Sequence, residues 1–209
     1  MKYCILFSLI AVACLSNAPK VSNADKCSKI AEIGDSLNLK LVNAAKQQTL
    51  KKVTYDGRYF TIPYPNGDIP DSLGVCTDVI IRAYRQVGFD LQKLVHEDMK
   101  RNFAVYKKKR NSLVIDRNID HRRVPNLETY FMRFGKQLSN STSAADYLPG
   151  DIVCWDIAAG HIGIVSNCYS EQDSTRLKVV HNIGLGPKME DYLFKATITG
   201  HYRFTPWKK

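Results

Sequence analysis

The chain changes character once, at Pro149-Gly150-Asp151, and that change constrains its fold more than any other feature. Ahead of it, apolar residues recur with a helical period. Ile30, Ile33, Leu37, Leu41, Ala44 and Ala45 predict one or two amphipathic helices over residues 28 to 50. Val75, Val79, Ile80, Ala83, Tyr84 and Val87 predict a largely buried helix that Gly88 ends. Residues 90 to 106 and 127 to 138 predict two more helices. Behind the break, residues 151–156, 161–167, 177–182 and 198–204 are β-rich runs separated by Gly, Asn and Ser. Helices first and antiparallel strands afterwards describe an α+β domain with its helices packed on the sheet. Residues 51 to 70 hold three tyrosines, three prolines and an Asn66-Gly67 turn signal, and read as extended structure and loop. Residues 107 to 126 read as a loop long enough to be functional.

The first residues read as an export signal. Lys2 precedes an apolar run over residues 5 to 15 that is too short to span a membrane, and Ser22-Asn23-Ala24 is a small-residue cleavage site. The expected division is a signal peptide over 1–24, a helical extension over 25–50 and one domain over 51–209. The mature chain then begins at Asp25 and works in the periplasm or outside the cell. Ala11-Val12-Ala13-Cys14 supports a second reading, a lipoprotein held on the membrane through Cys14. The formal charge is +10, and the leader holds Lys2 and Lys20 and no acid, which leaves +8 on the mature chain. An exported protein of that charge suits an anionic cell wall or membrane surface rather than nucleic acid. Lys107-Lys108-Lys109-Arg110 and Lys208-Lys209 carry part of it, and as solvated surface they need no partner.

Two of the six cysteines lie in the leader, and Cys27, Cys76, Cys154 and Cys168 remain. That is too few for a disulfide scaffold, and no C-x-x-C pair offers a structural zinc site. No metal or cofactor is expected. In an oxidising compartment one bridge has room to form, and Cys27 with Cys168 is the first pair to test.

Cys76 falls at the start of the buried helix, just after Gly74. The positive end of the helix dipole favours a thiolate there, so the thiol is expected to titrate below the ordinary value of about 8.5. A base is needed beside it. His161 opens the strand Ile162-Gly163-Ile164-Val165, and Gly160 and Gly163 leave space for close approach. A neutral imidazole there can take the thiol proton and return it to a leaving amine. A third residue should orient that imidazole. On the next strand, alternation places His181 and Asn182 on opposite faces, so only one of them can do so.

Cys76 at a helix start, then Leu148-Pro149-Gly150-Asp151-Ile152-Val153, then His161-Ile162-Gly163-Ile164-Val165, resembles the papain-like NlpC-type peptidases and amidases of the cell wall. The sequence departs from them at Val75-Cys76-Thr77-Asp78, where those enzymes carry Asp-Cys-Ser. A closer resemblance, over about residues 36 to 204, is to the bacterial domain of unknown function 1287. It rests on Tyr64-Pro65-Asn66-Gly67-Asp68, Gly74-Val75-Cys76-Thr77-Asp78, the stretch from Asn118 to Asn126, His181-Asn182-Ile183-Gly184 and Ile198-Thr199-Gly200-His201-Tyr202. The resemblance implies a papain-like NlpC-type fold over 51–209 and a Cys76–His161–His181 hydrolase acting as a monomer on amide bonds of peptidoglycan. A wall-binding module without activity and an acyltransferase are the alternatives.

Tyr64, Asp68, Asp78, His121, Arg122 and Asn182 complete the candidate site as substrate-binding residues. His121 with Arg122 and Arg123 can take a carboxylate, and arginine suits bidentate recognition. His121 serves equally well as an ion-paired loop anchor, and Asp78, pointing away from Cys76 along the helix, fits an internal ion pair better than a substrate contact. Cys154 and His201 read as structural.

Overall fold

The computed structural model describes Cys27 and residues 36–107 and 114–206. The leader, Cys14, the start of the 28–50 pattern, and positions 108–110 and 208–209 of the basic runs lie outside the described residues. Among the described residues no helix is long and apolar enough to cross a membrane.

The elements run α1 (Ser36–Gln47), β1 (Thr54–Tyr55), β2 (Leu73–Gly74), α2 (Cys76–Gln86), α3 (Leu91–Lys107), α4 (Val124–Phe134), β3 (Lys136–Gln137), β4 (Ile152–Trp155), β5 (His161–Tyr169), β6 (Leu177–His181), β7 (Lys188–Glu190) and β8 (Ile198–Arg203). This is the expected α+β order. Strands β3 to β8 form one antiparallel sheet in the order β3-β8-β4-β5-β6-β7. The short β3 and β7 at its edges carry no alternation that the sequence reveals. β1 and β2 pair in parallel as a separate ribbon, with Tyr55 opposite Gly74.

α2 shows why these residues make this helix. Asp78 at its third position accepts the Val75 N–H on Oδ2 at 2.7 Å, one half of a capping box. At the other end Gly88 takes φ +90°, Phe89 N–H donates to Tyr84 and Gly88 N–H to Arg85. This is a Schellman stop, which glycine accommodates without a Cβ clash. Between the ends, Val79, Ile80, Ala83 and Tyr84 are buried against Ile152, Cys154, Ile162, Ile164 and Val180 on one face of the sheet. Leu41, Ala44 and Ala45 of α1 belong to the same core. The helix ahead of residue 51 is therefore built into the domain and is not an appendage. Val153, Trp155, Val165 and Val179 point from the other face into a second apolar cluster with Tyr147 and Leu193.

The Pro149-Gly150-Asp151 entry has a structural use. Asp151 Oδ2 accepts the Leu148 N–H at 2.9 Å and lies 3.0 Å from His201 Nε2, and its two oxygens take Arg203. The turn before β4 is thereby fastened to β8, and His201 is a structural residue.

A disulfide joins Cys27 to Cys168 on β5 across a sequence separation of 141 residues. Cys76 and Cys154 are free and buried. Cross-linking so long a loop restricts the unfolded chain more than the native one. Reduction, or Cys27→Ala, is expected to destabilise the fold by about 2–4 kcal/mol. Urea unfolding with and without a phosphine reductant measures this, and coincident curves reject it.

Candidate active site

Cys76 is the first residue of α2 and is 5% exposed. It lines a cavity of about 380 Å³ together with Tyr55, Val75, Arg123, Val124 and Gly160. The burial dominates its chemistry and pushes the thiol up to about 11. The N–H groups of Ile162, Thr77 and Cys76 itself face the sulfur and pull the other way, while the Asp78 charge adds to the rise. The expectation of a thiol titrating below the ordinary range is thus overturned for the resting protein. The helix start supplies N–H groups as anticipated, but desolvation of a charged sulfur costs more than they return.

Tyr55 is the residue that sequence reasoning missed. Its side chain lines the cavity beside the Cys76 sulfur, and burial first, then the sulfur, push its hydroxyl up to about 12. The pairing of β1 with β2 brings it there from 21 positions up the chain. Nothing in the tyrosine-rich stretch distinguishes Tyr55 from Tyr59 or Tyr64.

His161 opens β5 and is 4% exposed. Its Nε2 lies 2.8 Å from Nδ1 of His181, and the two rings meet edge to face beside Trp155 and Tyr192. Asn182 points the other way, as alternation requires, and donates from Nδ2 to the Gly74 carbonyl at 3.2 Å. The ring that meets His161 is therefore that of His181. Gly163 makes the approach possible, because a Cβ there would stand 2.6 Å from Val179 Cγ1 and 3.1 Å from His181 Cβ. The resting structure shows no hydrogen bond between Cys76 and His161. The sulfur faces the N–H of Ile162, which lies with Cys76 in the α2-facing core, whereas the His161 ring pairs across β4 with Trp155 towards the second cluster.

Burial pushes both histidines down to about 4, with His181 adding to the fall at His161 and Lys188 to that at His181. These values lie below the ordinary 6.5, so between the two the unfolded chain binds more protons than the folded one. Stability is then full above about pH 6.5 and is lost as the pH falls towards 4. Counting the hydrogen-bonded pair as one proton site gives a loss of about 2 kcal/mol between pH 7 and 4.5. Urea midpoints across that range measure it. His181→Gln should flatten the profile, and an unchanged slope rejects the assignment.

The other candidates have different surroundings. Asp78 takes Arg122 bidentately, Nε to Oδ1 at 2.9 Å and Nη2 to Oδ2 at 3.0 Å, with both side chains buried. Arg122 also donates to the carbonyls of Asp56 and Arg58. This pair ties the start of α2 to the segment after Tyr55 and leaves neither charge for a substrate, although Arg122 borders the cavity. Asp68 lies between Arg82 and Arg85 and lines a separate cavity of about 330 Å³. Tyr64 packs edge-on against His96 under the Arg117 guanidinium. His121 is buried, has no hydrogen bond at Nδ1 and is pushed down to about 3 by burial. Of the expected site residues only Cys76 and Arg122 line the Cys76 cavity; His161, His181, Tyr64, Asp68, Asp78, His121 and Asn182 do not. Among the described residues no group of three or more His, Cys, Asp or Glu is placed to hold a metal ion.

A family model described as "Domain of unknown function (DUF1287)" matches residues 42–204. The chain is also similar to the "Uncharacterized protein YijF" of Escherichia coli (strain K12), with 48% identity over 177 residues, 84% of this chain and 85% of that protein.

Proposed function

The chain belongs to the DUF1287 family, and from that premise and the site geometry we propose that it is an exported cysteine hydrolase that cuts amide bonds in peptidoglycan, on a papain-like NlpC-type fold. One observation carries the reading. The sulfur of Cys76 sits at a helix start at the wall of a cavity, faced by the N–H groups of Thr77 and Ile162, and Ile162 follows His161 on the strand that holds the His161–His181 pair.

The chemistry follows from the hydrogen-bond roles. Glu190 Oε2 lies 3.5 Å from His181 Nε2, too far for a good hydrogen bond but near enough to favour a proton on that nitrogen. His181 Nδ1 then accepts from His161 Nε2–H, and His161 Nδ1 is left with its lone pair. As a substrate carbonyl enters, the Cys76 S–H proton passes to His161 Nδ1 and the sulfur bonds to the carbonyl carbon. The Tyr55 hydroxyl is placed to donate to the oxyanion. Collapse breaks the C–N bond, the amine leaves with the proton from His161, and water hydrolyses the thioester. The buried resting thiol fits a mechanism in which the proton leaves during attack rather than beforehand.

The test is incubation of the purified mature protein with peptidoglycan sacculi and mass spectrometry of released fragments. Soluble muropeptides ending at a new carboxylate support the reading. Protein that binds sacculi and releases nothing points to the wall-binding module.

A further inference from the structure

Two consecutive arginines border the Cys76 cavity, and the structure treats them differently. Arg122 is buried and spent on Asp78 and two carbonyls. Arg123 is exposed, lines the same cavity, and among the described residues its side chain makes no hydrogen bond or ion pair. No Asp or Glu lines that cavity, and the nearby Asp78 charge is neutralised by Arg122. The walls beside Arg123 are Val75, Val124 and Pro125, apolar surface that weakens the screening of a charge held there. The cavity therefore has an uncompensated cation, room for several heavy atoms, and the sulfur at its wall.

We propose that Arg123 determines specificity by holding a carboxylate of the substrate in the Cys76 cavity, so that the preferred substrate is an amide bearing a free carboxylate next to the bond to be cut. The guanidinium takes a carboxylate through two parallel N–H donors, which fixes orientation as well as charge. The substrate class rests on the hydrolase reading, whereas the anion preference of the cavity does not.

The first experiment separates the two. Iodoacetate and iodoacetamide are near-isosteric alkylating reagents that differ in charge, and both report on the Cys76 sulfur without any hydrolase activity. The expected result is a ratio of iodoacetate to iodoacetamide rates at Cys76 about tenfold above that of glutathione, the size of one charge-assisted hydrogen-bonded contact. Arg123→Gln should return it to the glutathione value and Arg123→Glu should push it below, with Arg123→Lys in between. Peptide mass spectrometry assigns the alkylation to Cys76 rather than Cys154.

The second experiment is direct binding of N-acetyl-alanyl-glutamate, against its fully amidated analogue, to the Cys76→Ala protein by NMR, with and without Arg123→Gln. Preference for the acid by about tenfold, lost in the double variant, supports the proposal even where Cys76 resists alkylation. Equal affinity for acid and amide, or a preference that survives loss of Arg123, overturns it. If sacculi release nothing and the anion preference persists, the hydrolase reading fails and the Arg123 site stands. If turnover is seen with no preference, the reverse holds.

Discussion

Cys76→Ser is expected to lower muropeptide release by at least about 10³-fold while leaving the fold intact. The hydroxyl keeps the shape of the thiol but has a far higher pKa, and a histidine already pushed down to about 4 is too weak a base to deprotonate it. Folding should change little, because the swap keeps the volume and the N–H groups that face the sulfur can donate to the serine oxygen. His161→Ala is expected to match the loss, since it removes the proton acceptor. His181→Ala should cost less, because that ring orients the base and is not consumed in bond making. Replacement of Cys154, which is buried in the α2-facing core, should leave kcat near wild type. The measurement is fragment release by each purified variant, with circular dichroism to confirm folding. A folded Cys76→Ser protein that keeps most of its activity rejects the thiolate mechanism.

The second large effect is on stability. Asp78→Ala leaves the Arg122 guanidinium buried without its carboxylate and removes the cap of α2. Breaking a buried pair from one side costs about 3–5 kcal/mol. Lys51–Asp71 is a control: the separation is 3.1 Å, but the side chains are 54% and 78% exposed, so Asp71→Ala should shift the urea midpoint little. The double replacement Asp78→Leu with Arg122→Met should recover much of the loss, because no buried charge remains. It should not recover activity, since the ties from Arg122 to Asp56 and Arg58 that hold Tyr55 over the sulfur are gone. An Asp78→Ala midpoint within error of wild type contradicts the buried-pair account.

The sequence announces some of this and hides the rest for definable reasons. α2 is legible because a helical apolar stripe and a C′ glycine agree on one element. The long strands are legible through β-branched residues between turn signals. β3 and β7 are not, since two or three residues cannot display a period. Alternation separates His181 from Asn182 but carries no mark of which face holds His161. That depends on the packing of β6 against β5. Arg122 and Arg123 are likewise indistinguishable as letters, and only the position of Asp78 on α2 decides which guanidinium turns inward. The direction of the Cys76 shift could not be read either, because a helix start is visible in a sequence and the depth at which a sulfur is buried is not.

The end of β6 has a mechanical consequence. His181 meets the His161 ring from one face of the strand, and Asn182, one residue on and on the other face, donates to the carbonyl of Gly74 two residues before Cys76. Sulfur and imidazole are thus referenced to the same strand, and they cannot drift apart unless β6 itself peels from β5. A hinge that admits substrate cannot run between them. The opposite wall, built by Gly57, Ile119 and residues 122 to 126, is not tied to β6 in this way.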